Sequence, residues 1–146
     1  MSIQVRSPLP GRGGLLARLR GYLRVAVLFV RTDPWMTIYP GTAFAVVAAH
    51  HARLAPAAFA LAIVEAAVYM TGFLALHAIS SQLVSVEEDR INKPWRPIPS
   101  GLIPERVART VQGAVMVLFP LTGLLFGVLW WALLWEVIVL SDARTN

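Results

Sequence analysis

Residues 57–80 form one apolar run interrupted by Glu65 and His77. At 1.5 Å per helical residue, such a run matches a hydrocarbon core of roughly 30 Å. In lipid the backbone has no outside hydrogen-bond partner, so a run of this kind folds as a helix. The rest of the chain fits the same environment. Of 146 residues, 57% are hydrophobic and 14% charged, with mean hydropathy +0.63, whereas a soluble domain carries about 25% charged residues. Too little polar surface remains to cover a globule, and disorder is excluded on the same ground. The absence of cysteine removes disulfide frameworks, thiolate zinc sites and cysteine nucleophiles. Glu65 is either protonated and bonded to a neighbouring helix or turned to an internal cavity, because an ionised carboxylate in hydrocarbon is costly. His77 is either packed in the core or at the rim of a site.

The remaining segments build around this run. Residues 1–14, with two prolines and three glycines, read as a flexible tail and lack the pattern of a signal peptide. Residues 15–33 read as a basic amphipathic lead-in helix, in which Leu15, Leu16, Leu19, Leu23 and Val27 alternate with Arg18, Arg20 and Arg24. That helix either lies on the membrane or leads into the first span. Residues 34–146 then make a transmembrane half-bundle. Its first span opens at Asp33-Pro34, is kinked at Pro40-Gly41 and closes at His50, His51 and Arg53. Adjacent histidines point about 100° apart on a helix, so the pair is expected in a solvated turn and not as one metal-ligand face. Residues 110–140 are too long for one straight crossing, and are expected to form a hairpin turning near Gly123–Gly127, with a second helix ending at Ser141. One strongly tilted helix is the alternative. The fold class is therefore all-α, a polytopic membrane bundle of about four transmembrane helices.

Net charge is +5, and 12 of the 13 basic residues are arginine. They flank apolar runs, which fits the anionic inner-leaflet surface and not nucleic acid. Basic residues concentrate in the lead-in and again at Arg90, Lys93, Arg96, Arg106 and Arg109, with only Arg53 between. The positive-inside rule then puts both termini and the central loop in the cytoplasm of a plasma or inner membrane.

That loop, 81–105, is the polar centre of the chain. If the helix continues past Ser80, then Ser81, Ser85 and Asp89 recur every four residues, flanked by Gln82, Glu88 and Asn92. Oxygen donors at a helix end suit a hard cation such as Mg²⁺, which usually arrives with phosphate. Lys93 and Arg96 follow as phosphate grips, stiffened by Pro94, Pro97 and Pro99.

Asp89-Arg90-Ile91-Asn92-Lys93-Pro94-Trp95-Arg96-Pro97-Ile98-Pro99-Ser100-Gly101 resembles the first aspartate-rich region of the UbiA-type intramembrane prenyltransferase superfamily. The resemblance covers about residues 20–140 and corresponds to the N-terminal half of that fold. It implies Mg²⁺-dependent transfer of a prenyl group from a prenyl diphosphate to an acceptor. Asp89 and Glu88 would be the catalytic acids, and Asp89, Ser85, Ser81 and Glu88 the metal ligands. Lys93, Arg96, Asn92 and Gln82 would bind the diphosphate. Ser81 and Ser85 stand where the family carries asparagine and aspartate. The Ser-Val-Glu-Glu-Asp wording at 85–89 is similar to a divergent branch that includes membrane terpene cyclases, in which the carbocation attacks its own chain. No second aspartate-rich loop follows, and Glu136 and Asp142 do not form one. The expectations are thus a truncated prenyltransferase, a cyclase, or a non-catalytic fragment or subunit, partnered by the lipid bilayer and by a missing C-terminal half or another subunit. Trp95, beside the motif, is either a wall of the site or an interfacial anchor.

Overall fold

Proline, glycine and charge punctuate the apolar runs, and the helix boundaries follow them. A computed structural model describes residues 14–31 and 33–145. The tail reading therefore lies outside the described residues but for Gly14. The order is α1 (Leu15–Val30), α2 (Pro34–His51), α3 (Pro56–Val84), α4 (Val86–Asn92), α5 (Glu105–Leu125) and α6 (Leu129–Thr145). No strand occurs among the described residues. Pro34 and Pro56 open α2 and α3 at a first-turn position where no intrahelical N–H bond is lost. Glu105 opens α5 with a negative charge at the positive end of the helix dipole.

The central element is α3, which packs against α1, α2, α5 and α6. Its 29 residues give about 43 Å of helix, longer than the roughly 30 Å of a hydrocarbon core. Two apolar clusters hold the helices together. Val25 and Phe29 of α1 meet Ala78 and Ile79 of α3, Ala108 and Val111 of α5, and Ile98 and Ile103 of the loop. Leu76, Phe119, Ala132 and Val139 join α3, α5 and α6. Between α3 and α5, Gln112 Nε2 donates to the buried Ser80 Oγ at 2.9 Å.

The four-span expectation is met in part. Two helices, α3 and α5, are long and apolar enough to cross a membrane. The 18-residue α2 dilutes its apolar content with prolines, threonines and terminal histidines, and α6 has 17 residues. α2 continues through Pro40, and the missing side chain at Gly41 admits Met70 of α3. A Cβ there would stand 2.6 Å from Met70 Cγ. His50 and His51 are exposed in the last turn of α2.

The hairpin expected after residue 110 is present, and it rules out a single tilted helix. Gly127 takes φ 72°, Val128 N donates to Gly123 O at 2.7 Å and Gly127 N to Leu124 O at 3.3 Å, which together form a Schellman cap. The second helix runs beyond the expected end at Ser141, to Thr145. Gly123 sets the closeness of the hairpin, since a Cβ there would lie 2.7 Å from Ala132 Cβ and 3.3 Å from Leu129 Cα. Gly123→Ala is expected to force α5 and α6 apart and destabilise the chain by about 1–3 kcal/mol, read as a lower thermal midpoint in detergent.

α2 ends in the same cap with a different residue. Arg53 N donates to His50 O at 3.0 Å and Leu54 N to Ala49 O at 3.2 Å, while Arg53 sits at φ 52°. A left-handed conformation costs a residue with Cβ about 1–2 kcal/mol that glycine does not incur. Arg53→Gly is therefore expected to raise the thermal midpoint, corresponding to a gain of about 1 kcal/mol.

Candidate functional site

The polar end of α3 continues into α4 through a break at Ser85, whose backbone leaves the helical region. The hydrogen-bond ladder carries on regardless, with Ser85 N donating to Ser81 O at 3.0 Å and Asp89 N to Ser85 O at 2.8 Å. The four-residue periodicity expected of Ser81, Ser85 and Asp89 thus survives. What these side chains face differs from one to the next.

Ser81, Ser85 and Glu88 line one cleft of about 260 Å³, completed by His77 and Val84 from α3 and by Val139 and Asp142 from α6. Asn92 Nδ2 donates to Glu88 Oε1 at 3.5 Å, a long bond on the exposed side. Ser85 Oγ donates to Ser81 O at 2.8 Å and Ser81 Oγ to Ala78 O at 3.3 Å. Both hydroxyls face the cleft with their protons engaged, leaving oxygen lone pairs for a ligand.

Asp89 does not line that cleft. Its side chain is 4% exposed and holds Arg96 Nη1 on Oδ2 at 2.6 Å, with Lys93 Nζ 3.9 Å from Oδ1 and Ser85 Oγ 3.3 Å from Oδ2. The acid and the cationic grips, given separate tasks in the sequence reading, are paired with one another. The loop enforces this pairing. Ile98 and Ile103 are anchored in the core, and Ser100 N donates to Arg96 O and Ile103 N to Pro97 O, each at 3.0 Å. Adjacent acids therefore serve different environments, because successive helical residues point about 100° apart. Gln82 is also separate from the cleft, buried with Oε1 unpartnered. Trp95 is 70% exposed and borders none of the cavities described here, as an interfacial anchor would.

Two cleft residues stand apart from the motif. His77, one turn before Ser81, lies exposed at the rim and stacks on Phe73 with centroids 6.1 Å apart. Its i−4 spacing from Ser81 was the signal for it. Asp142 arrives from α6, and no spacing in the sequence links it to Glu88. Beyond His77 the same stripe of α3 turns aromatic. Phe73 packs on Trp135 of α6 at 4.9 Å and Tyr69 on Phe119 of α5 at 5.0 Å. Tyr69 and Glu65 then border an apolar cavity of about 400 Å³ with Met70, Trp131 and Trp135. Of the alternatives for Glu65, the structure shows the cavity.

Among the described residues, no three His, Asp or Glu side chains stand together closely enough to hold a metal ion. Glu88 and Asp142 bring carboxylates to the cleft and the serines bring neutral oxygens. That donor set suits a Mg²⁺ that takes most of its ligands from phosphate and water, not one caged by protein.

The chain's similarities are to terpene-related proteins. It is 48% identical over 118 residues to the somaliensene A/B synthase of Streptomyces somaliensis, covering 81% of this chain and 40% of that one. It is 40% identical over 78 residues to the diterpene cyclase eriG of Hericium erinaceus, covering 53% and 23% of the two chains. The polyprenyl transferase eriF of the same fungus is 36% identical over 78 residues, covering 53% and 25%. The chain thus spans 40% or less of the length of these relatives. No protein-family profile matches it. No solved structure matches it.

Proposed function

We propose that the chain is part of a membrane-embedded terpenoid enzyme of the UbiA type that takes a prenyl diphosphate, with the diphosphate in the Ser81–Ser85–Glu88 cleft. The observation that carries this reading is the single stripe of α3, in which His77, Ser81 and Ser85 border a polar cleft and Phe73 and Tyr69 continue it as an aromatic row. A head group and a hydrocarbon tail would meet matching surfaces in that order. The motif loop would face the cytoplasm, as its basic residues favour.

Glu88, with the serine oxygens, would hold Mg²⁺ beside the diphosphate, and the ion would supply charge neutralisation at the leaving oxygens, while Asp89 supports the site from behind through its pair with Arg96. Lys93 is 47% exposed at the edge of the ion pair and is the cation best placed to reach a phosphate oxygen. Arg96 holds the loop against Asp89 and orients it. The reaction begins with heterolysis of the allylic C–O bond, the electron pair leaving with diphosphate. The aromatic row excludes water from the cation and stabilises it through the ring faces. In cyclisation a double bond of the same chain captures the cation and a proton is lost; in transfer an acceptor captures it. Similarity to a diterpene cyclase over 53% of this chain supports cyclisation, and similarity to a polyprenyl transferase over the same share keeps transfer as the second reading.

The test is binding and turnover of geranyl, farnesyl and geranylgeranyl diphosphates by the detergent-purified chain, with and without Mg²⁺. Mg²⁺-dependent retention is expected, and a cyclic hydrocarbon formed without added acceptor identifies cyclisation. Absence of retention with Mg²⁺ present would remove the diphosphate from the cleft.

A further inference from the structure

A second amphiphilic surface lies on the other side of α3, away from α6. On α1, Arg20, Arg24, Val27 and Arg31 follow one another at i, i+4, i+7 and i+11, which places them on one face. The three arginines line a cavity of about 550 Å³ whose floor is Leu23, Val27 and Leu28. All three are exposed, α1 carries no acid, and none of the three is in an ion pair among the described residues. Arg20 and Arg24 stand about 6 Å apart along the helix axis and Arg31 about 10 Å further on, so the three form one cationic stripe on the surface.

Leu23, Val27 and Arg31 also border a second, partly open groove of about 560 Å³ between α1, α3 and α5. Its walls include Val68, Gly72, Val115 and Leu118. The two threonines there offer no free donor, since Thr71 Oγ1 donates to Ala67 O and Thr122 Oγ1 to Phe119 O, each at 2.7 Å. A cationic mouth therefore opens directly onto a groove of hydrocarbon.

We propose that this groove binds an anionic phospholipid of the bilayer, its phosphate among Arg20, Arg24 and Arg31 and one acyl chain along α3 and α5. The charge complement is cationic throughout. No carboxylate borders either cavity to hold a divalent ion, unlike the Glu88 cleft. Arginine guanidinium groups bind phosphate oxygens directly, and the open side of the groove leaves room for a second chain. The inference rests on the membrane location proposed above.

Native mass spectrometry of the detergent-purified chain with phosphatidylglycerol and phosphatidylcholine tests it. Phosphatidylglycerol is expected to stay bound where phosphatidylcholine is lost. Each of Arg20→Gln, Arg24→Gln and Arg31→Gln is expected to weaken that retention roughly fivefold. Val68→Phe, at a position 44% exposed in the groove, is expected to lower retention with charge and helicity unchanged, because it fills the tail site alone. Soluble glycerol phosphate is expected not to displace the lipid. Equal retention of the two lipids, or displacement by glycerol phosphate, overturns the site while leaving the membrane reading intact. Displacement by farnesyl diphosphate at lower concentration than phosphatidylglycerol would reassign the groove to a prenyl substrate. A chain that remains soluble without detergent would sink the membrane location itself.

Discussion

Arg96→Ala is expected to destabilise the chain by about 3–5 kcal/mol, because it strands the Asp89 carboxylate in a buried setting. Asp89 is 4% exposed and Arg96 18% exposed, with 2.6 Å between Arg96 Nη1 and Asp89 Oδ2. The remaining cation, Lys93 Nζ, is 3.9 Å from the other oxygen and 47% exposed, too far and too hydrated to take over. Lys93→Ala should accordingly cost less than about 1 kcal/mol. Arg90 makes an informative control. Its bond to Glu87 has the same 2.6 Å length, but the two side chains are 53% and 82% exposed, and solvent screening holds the effect of Arg90→Ala below about 1 kcal/mol as well. Thermal unfolding of the three variants in one detergent checks the order. If Arg96→Ala and Arg90→Ala shifted the midpoint equally, the Asp89 clamp would be no more than a surface pair.

Glu88→Gln is expected to weaken Mg²⁺-dependent binding of a prenyl diphosphate by on the order of 10–100-fold, the range typical when support for a bound metal is removed. Glu88 is the α4 acid that borders the cleft, and glutamine keeps its size and its bond to Asn92 while removing the charge. Glu87→Gln is the matched comparison, since Glu87 points away to Arg90 and its replacement should change binding less than about twofold. Calorimetric titration with and without Mg²⁺ separates the metal contribution from simple charge attraction. Equal losses for the two variants, or a loss that persists without Mg²⁺, would remove Glu88 from the head-group site. Stability should change little in either variant, which distinguishes the cleft acid from the clamp acid one residue later.

The contrast between Glu88 and Asp89 shows where reading the residues stops. Their chemistry is legible because two acids at a helix end followed by Lys93 and Arg96 form a recognisable charge pattern. Which acid meets which cation is not, since it depends on a loop that returns Arg96 to Asp89 across seven residues, and that return is fixed by burial of Ile98 and Ile103. Gln82 was assigned to the diphosphate by its position beside Ser81, yet one helical step places it in the core. Asp142 illustrates the reverse case. It carries no motif and joins the cleft only because α5 and α6 fold back on themselves.

The helices themselves needed little beyond local chemistry. Apolar runs bounded by Pro34, Pro56, Pro104 and Gly127 state where each helix starts or stops, because proline and glycine act through their own backbone geometry. Side-chain partnership has no such local cause. The pairing of Asp89 with Arg96, the presence of Glu88 and Asp142 on one cleft, and the cationic mouth of α1 above an apolar groove arise from packing against α3. That packing depends on shapes and distances that no single segment of the chain contains.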